Sequence, residues 1–166
     1  MDACDGCGFV YEPERATEAG AAILGDADAI ADALRSGRAE VRMRPEPEVW
    51  SPLEYGAHVR DVLLSQRERV ILARILDNPE SHPIFRDARV ELDGYAAQDP
   101  DAVARQVVDA ATMFANVLDR VDAAGEWDRT MVYNYPEPSS RSIAWVAVHT
   151  QHELRHHRGD VERPLG

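Results

Sequence analysis

Five side chains able to ligate a metal crowd one stretch near the C-terminus, SRSIAWVAVHTQHELRHHRGDVER at positions 140–163: His149, His152, Glu153, His156 and His157. Four of the chain's 6 histidines fall there within nine positions. On a helix, side chains four apart share a face. Three pairs have that spacing: His149/Glu153, His152/His156 and Glu153/His157. Two imidazoles, or an imidazole and a carboxylate, one turn apart form a clamp for a divalent cation. One clamp supplies two ligands, so a third must come from elsewhere.

The face of the helix ranks the pairs. Ile143, Val146, Ala147, Thr150, Leu154 and Val161 make one broad stripe, the expected core face. Glu153 and His157 project at or beside it. His152 and His156 lie more than a quarter turn away, on the rim or outer surface, and His149 falls between. A histidine-rich helix end is also what a solvated surface favouring the C-terminal dipole looks like. A carboxylate at the edge of an apolar face is harder to explain without a cation, because buried charge needs a partner.

The elements that must position these groups are legible from their punctuation. Residues 1–12 read as an irregular lead, distinct from a domain over 13–166. Pro13-Glu14 opens a helix to about Ser36, with a break expected at Gly25 and a stop at Gly37. Residues 38–49 are extended, since Pro45 and Pro47 forbid helix. Ser51-Pro52-Leu53-Glu54 is a capping box with proline at the first helical position, predicting a helix from Pro52 to Leu76. His58 is that helix's one histidine; Leu64 and Ile75 are assigned inward or rim positions. Residues 79–98 form a long connection with a short helix inside it, of the kind that covers a site. Asp99-Pro100 starts a third long helix, stopped at Gly125. Residues 131–138 are extended, with Pro136 and Pro138 as breakers, and Ser139 or Ser140 is expected to cap the histidine-rich helix. The predicted fold is all-α, an antiparallel four-helix bundle with long crossover connections.

Composition narrows the function. The chain has 166 residues, 45% hydrophobic and 29% charged, as for one globular domain. Its formal charge of −12 opposes binding to a phosphate backbone, so no nucleic-acid partner is expected. No apolar run is long enough for a membrane span. The N-terminus has no signal-peptide pattern, and the cytoplasm is the expected location. GxGxxG, GxSxG and P-loop patterns are absent. Cys4 and Cys7, in CDGCG, admit three readings: a reducible pair, half of a zinc site, or two thiols on a mobile end. A zinc site of this type needs four ligands and there is no second CxxC. The loose end is therefore the preferred reading, with metal sharing across a homodimer as an open alternative.

Two segments together resemble the DinB-like superfamily of metal-binding four-helix bundles: WSPLEYGAHVRDVL at 50–63 and AWVAVHTQHELRHHRGDV at 144–161. The similarity runs through RDARV and the NYP segment and covers nearly all of 15–163; the CDGCGF lead lies outside it. The resemblance implies a divalent metal held by His58, Glu153 and His157. Glu153 stands where many members carry histidine, and the branch similar to mycothiol-dependent maleylpyruvate isomerase carries Glu. His149, His152 and His156 are the second choice of ligands. Asp61 and Asp160, each one turn from a candidate ligand, are expected to orient imidazoles. His149 is a further candidate ligand or proton shuttle, and Arg141 a candidate partner for a substrate carboxylate.

The activity implied is metal-dependent transfer or isomerisation using a low-molecular-weight thiol such as mycothiol and a small-molecule substrate. Zinc is the first choice of ion, with nickel, cobalt, iron or manganese also suited to nitrogen and oxygen ligands. A non-catalytic metal-binding stress-response bundle, a metal-dependent hydrolase, and a redox module built on Cys4 and Cys7 are the alternatives.

Overall fold

The capping box at Ser51 forms as written: the Glu54 amide donates to Ser51 Oγ at 3.3 Å, and Glu54 Oε2 accepts from the Ser51 amide at 2.8 Å. It opens the helix that carries His58. The computed structural model describes residues 3–134 and 137–165. In chain order they form α1 (Ala16–Leu34), α2 (Pro52–Ile75), α3 (Arg86–Leu92), α4 (Pro100–Ala124), a hairpin of β1 (Thr130–Asn134) and β2 (Pro138–Ser142), and α5 (Ile143–Glu162). The four long helices are the expected bundle; α3 is the short helix expected inside the long connection.

Both α1 and α2 pack against α4 and against α5, which puts α1 opposite α2. The chain must therefore cross the bundle end twice, which is why the connections are long. Ile23, Ile30, Leu53, Phe114 and Leu154 are wholly buried between the helices. Each such side chain contributes roughly 1.5–3 kcal/mol by leaving water. That burial explains one departure from the sequence reading. α1 runs unbroken through Gly25, because packing of Ile23, Ala27 and Ile30 outweighs the roughly 1 kcal/mol cost of a mid-helix glycine.

Three further expectations are corrected. Leu64 and Ile75 on α2 are exposed, at 42% and 69%. The cap of α5 is Ser142, whose Oγ accepts from the Trp145 amide at 3.1 Å. Ser139 and Ser140 instead pair with Tyr133 and Val132 in the hairpin ladder, which holds them extended until residue 142. Pro136, one of the expected breakers, lies outside the described residues. The N-terminal lead is not loose. Ala3 bridges Val10 antiparallel, the Cys4 amide donates to the Phe9 carbonyl at 2.8 Å, and Phe9 and Tyr11 pack on His152.

Buried charges are paired. Glu54, 1% exposed, is gripped by Arg44 from the 35–51 crossover at 2.6 Å and 2.9 Å. Asp26, also 1% exposed, accepts from Arg155 at 3.0 Å and Arg158 at 3.2 Å, fixing α5 against α1. Among the described residues no helix is long and apolar enough to cross a membrane.

Candidate metal centre

α2 and α5 bring His58, Glu153 and His157 together: one ligand atom from each lies within 4.8 Å of the others. His58 sits about two turns in from the capped start of α2 and meets His157 edge to face, ring centres 5.0 Å apart. Glu153 and His157 are successive turns of α5, with Nε2 and Oε2 3.8 Å apart. Trp50 covers His58 and Tyr55 stacks on His157, each at ring distances below 5.5 Å.

The donor set suits a divalent cation. Burial, with the positive field of His157, holds the His58 imidazolium down to about 4 against the pull of Glu153, so the ring is neutral near pH 7. Its Nδ1 is buried without a hydrogen-bond partner among the described residues. Such an orphan is costly unless something binds there. Burial works against ionisation of Glu153. The hydrogen bond to His152 and the fields of His149 and His157 outweigh it, and the carboxyl is held low, about 2. His157 Nδ1 lies 2.9 Å from Asp160 Oδ2. A carboxylate on one ring nitrogen fixes the tautomer that offers the other nitrogen as a ligand.

Asp61 does not do the same for His58. Its oxygens accept from the Tyr95 hydroxyl at 2.6 Å, Arg60 at 2.8 Å and Arg89 at 3.1 Å. The residue ties α2 to the connection that carries Arg89 and Tyr95. Arg141 is likewise diverted: its guanidinium stacks on Trp145 at 4.7 Å, outside the cavity described next.

A cavity of about 540 Å³ adjoins the cluster, lined by His58, Glu153 and His157 and also by His149, His152 and His156. Its cover is Pro83–Ala88, from the long connection between α2 and α4. Phe85 there adopts a left-handed backbone, φ 51°, which costs a non-glycine residue about 1–2 kcal/mol. Such strain at a ligand cavity is a recurrent feature of functional sites.

His149 stacks on Trp145 at 4.6 Å and has Nε2 3.9 Å from Glu153 Oε1. Burial holds it down to about 4, again against Glu153, so it too is neutral. It belongs to a group with His152 and Glu153. His152 is buried and His156 is only partly exposed. The N-terminal lead covers them, and they group with Cys4 and Cys7.

Sequence reasoning missed Arg69 and Arg86, the cationic residues of the cavity lining. Arg69 is held against the Tyr133 ring at 4.9 Å and donates to Gln66 Oε1 at 3.0 Å. A signal existed: position 69 is 11 residues after 58, about three turns, and so on nearly the same face. Tyr11 was missed as well; its hydroxyl lies 2.6 Å from His152 Nδ1 and 3.4 Å from His149 Nδ1. Nothing in its local sequence marks it.

A divalent ion on His58, Glu153 and His157 would supply Lewis acidity, lowering the pKa of a bound thiol or water. Three protein ligands leave coordination positions for such a group. Around it, Arg69 and Arg86 present positive charge, and the partly buried rings of Trp50 and Tyr55 restrict water.

A two-histidine, one-carboxylate cluster on a cavity wall between bundle helices defines the class, a helical bundle built around a candidate metal site. The model of the DinB superfamily matches residues 14–161, and the chain belongs to that superfamily. Among solved structures it is similar to YfiT from Bacillus subtilis, a probable metal-dependent hydrolase with an unusual four-helix bundle topology. The TM-score is 0.80 at 11% identity, covering 99% of this chain and 91% of that one. No curated protein matches.

Proposed function

We propose that the protein is a divalent-metal-dependent enzyme that activates a low-molecular-weight thiol of the mycothiol type for transfer or isomerisation of a small anionic substrate. His58, Glu153 and His157 hold the ion, zinc before nickel, cobalt, iron or manganese. Asp160 orients His157. Neutral His149, within reach of the cavity and of Glu153, is the group placed to accept the thiol proton. Arg69 and Arg86 pair with carboxylates of the thiol or the substrate. The observation that carries the reading is the open three-ligand cluster on the wall of a cavity of ligand size.

The test is elemental analysis of the purified protein, then calorimetric titration of mycothiol into the metal-loaded form. Metal-dependent binding, lost in His58→Ala and Glu153→Ala, is expected. Metal-loaded protein that gives no heat and no stabilisation with mycothiol refutes the thiol.

A second reading, hydrolysis, has its own support in the likeness to YfiT and in the same geometry, because water can take the place of the thiol. Metal-dependent turnover of ester or amide substrates without any thiol would favour it.

A further inference from the structure

The N-terminal CxxC is the one chemical motif that the proposed function does not use, and the fold carries it onto the last helix. One ligand atom from each of Cys4, Cys7, His152 and His156 lies within 4.8 Å of the others. We propose that these four residues form a second metal site, a closed tetrahedral zinc site separate from the His58/Glu153/His157 centre, which clamps the N-terminal lead to α5.

The local geometry is that of a built site. Residues 4–8 make a tight turn in which the Gly8 amide donates to the Cys4 carbonyl at 2.8 Å. Gly8 has φ 69°, a conformation glycine adopts without penalty. Backbone amides of Cys7 and Gly6 point at the Cys4 sulfur, and that of Phe9 at the Cys7 sulfur, where burial outweighs it and pushes the thiol up. The turn is pressed onto the imidazole: a Cβ at Gly6 would lie 2.9 Å from His156 Cε1.

The two histidines are set up as ligands. His152 Nδ1 lies 3.5 Å from the Glu153 carboxylate and 2.6 Å from the Tyr11 hydroxyl. A nitrogen facing a carboxylate carries the proton, which leaves Nε2 with the lone pair. That Nε2 is buried and has no partner among the described residues. His156 turns Nε2 toward Asp160, 3.8 Å away, and Nδ1 toward Cys4 Sγ, 3.7 Å away. In a tetrahedron with Zn–S and Zn–N bonds of about 2.3 and 2.0 Å, ligand atoms are separated by roughly 3.3–3.8 Å. The Cys4–His156 pair already has that spacing, and two sulfurs with two imidazoles select zinc over harder ions. Binding releases the two thiol protons to solvent, and two thiolates neutralise the ion. Four protein ligands leave no open position, so this site is structural. It holds Tyr11 against His149 and His152, and thereby one wall of the cavity.

Cobalt(II) tests this, because only thiolate ligation gives the near-ultraviolet sulfur-to-cobalt charge-transfer band, and the His58 centre has no sulfur. Reduced, metal-free wild-type protein should take up two equivalents of cobalt, one with that band. Cys4→Ser/Cys7→Ser should lose the band and one equivalent. His58→Ala/His157→Ala, which leaves Glu153 in place beside His152, should keep the band and lose the other equivalent, so failure of either site is seen separately. Alkylation of the wild type needs no variant: zinc should protect both cysteines at least tenfold, and a chelator should expose them. No band in the wild type, a band that survives in the serine variant, or unprotected thiols in zinc-loaded protein would overturn the proposal. So would recovery of the untreated protein with a Cys4–Cys7 disulfide and no sulfur-bound metal.

Discussion

In metal-free protein, His58 should make the fold acid-sensitive well above the carboxylate range. The ring is 2% exposed, and burial with the neighbouring His157 lowers it from the ordinary 6.5 to about 4. Unfolded, it recovers the ordinary value. Between the two, the unfolded chain binds the extra proton, so stability falls as pH is lowered from about 6.5 to about 4 and is level on either side. Each pKa unit is worth 1.36 kcal/mol, so this one group removes about 3 kcal/mol, a large part of a typical domain's 5–15 kcal/mol. The assay is urea unfolding of chelator-treated protein followed by circular dichroism at several pH values from 7.5 to 4. His58→Phe keeps an aromatic ring against Trp50 and His157 and removes the titration. Its absolute stability is not the readout, because the ring volumes differ. Its loss between pH 7 and 4 should be smaller than the wild type's by about 3 kcal/mol. If the two proteins lose stability in parallel within 1 kcal/mol, His58 is not the neutral buried imidazole described here.

The two acids near the site should separate cleanly. Asp160→Asn, at the carboxylate on His157 Nδ1, should weaken metal affinity by about 10–100-fold in chelator competition. Asp61→Asn should leave that affinity within twofold and lower stability, since it strips charge from a carboxylate that receives Tyr95, Arg60 and Arg89. Arg44→Ala leaves Glu54 buried without its cation. We expect a loss of about 2 kcal/mol in urea unfolding, less than the roughly 3–5 kcal/mol of a fully buried pair because Arg44 is a third exposed. Lowering the pH should erase that difference: Arg44 helps hold the folded Glu54 carboxyl below its usual range, so the pair stabilises above the usual carboxylate pKa and stops doing so as the folded carboxyl is protonated.

The chain by itself determined what is local. The capping box at Ser51–Glu54, the Asp99 cap of α4, the stop at Gly125 and the apolar stripes of four helices follow from backbone chemistry and period. They were enough for the bundle and for the DinB family. The i,i+4 spacing of Glu153 and His157 is likewise a helix property, and His58 was found because the pair needed a distant third ligand. Ser142 takes the place of Ser139 and Ser140 as the cap because both serines are drawn into a strand whose partners, Tyr133 and Val132, are set by pairing across the hairpin and not by the serines' own neighbours.

Tertiary structure decided the rest. One helix projected on a wheel has an inside and an outside, and His152 and His156 fell outside. The N-terminal lead, about 140 residues away in sequence, supplies a second inside by lying across them. The same holds for Asp61 and Arg141, whose partners Tyr95, Arg89 and Trp145 were set by the paths of the crossover and the hairpin. Spacing along a helix fixes which side chains share a face. Which face is covered, and by what, depends on where the other segments run, and that is a property of the packed chain.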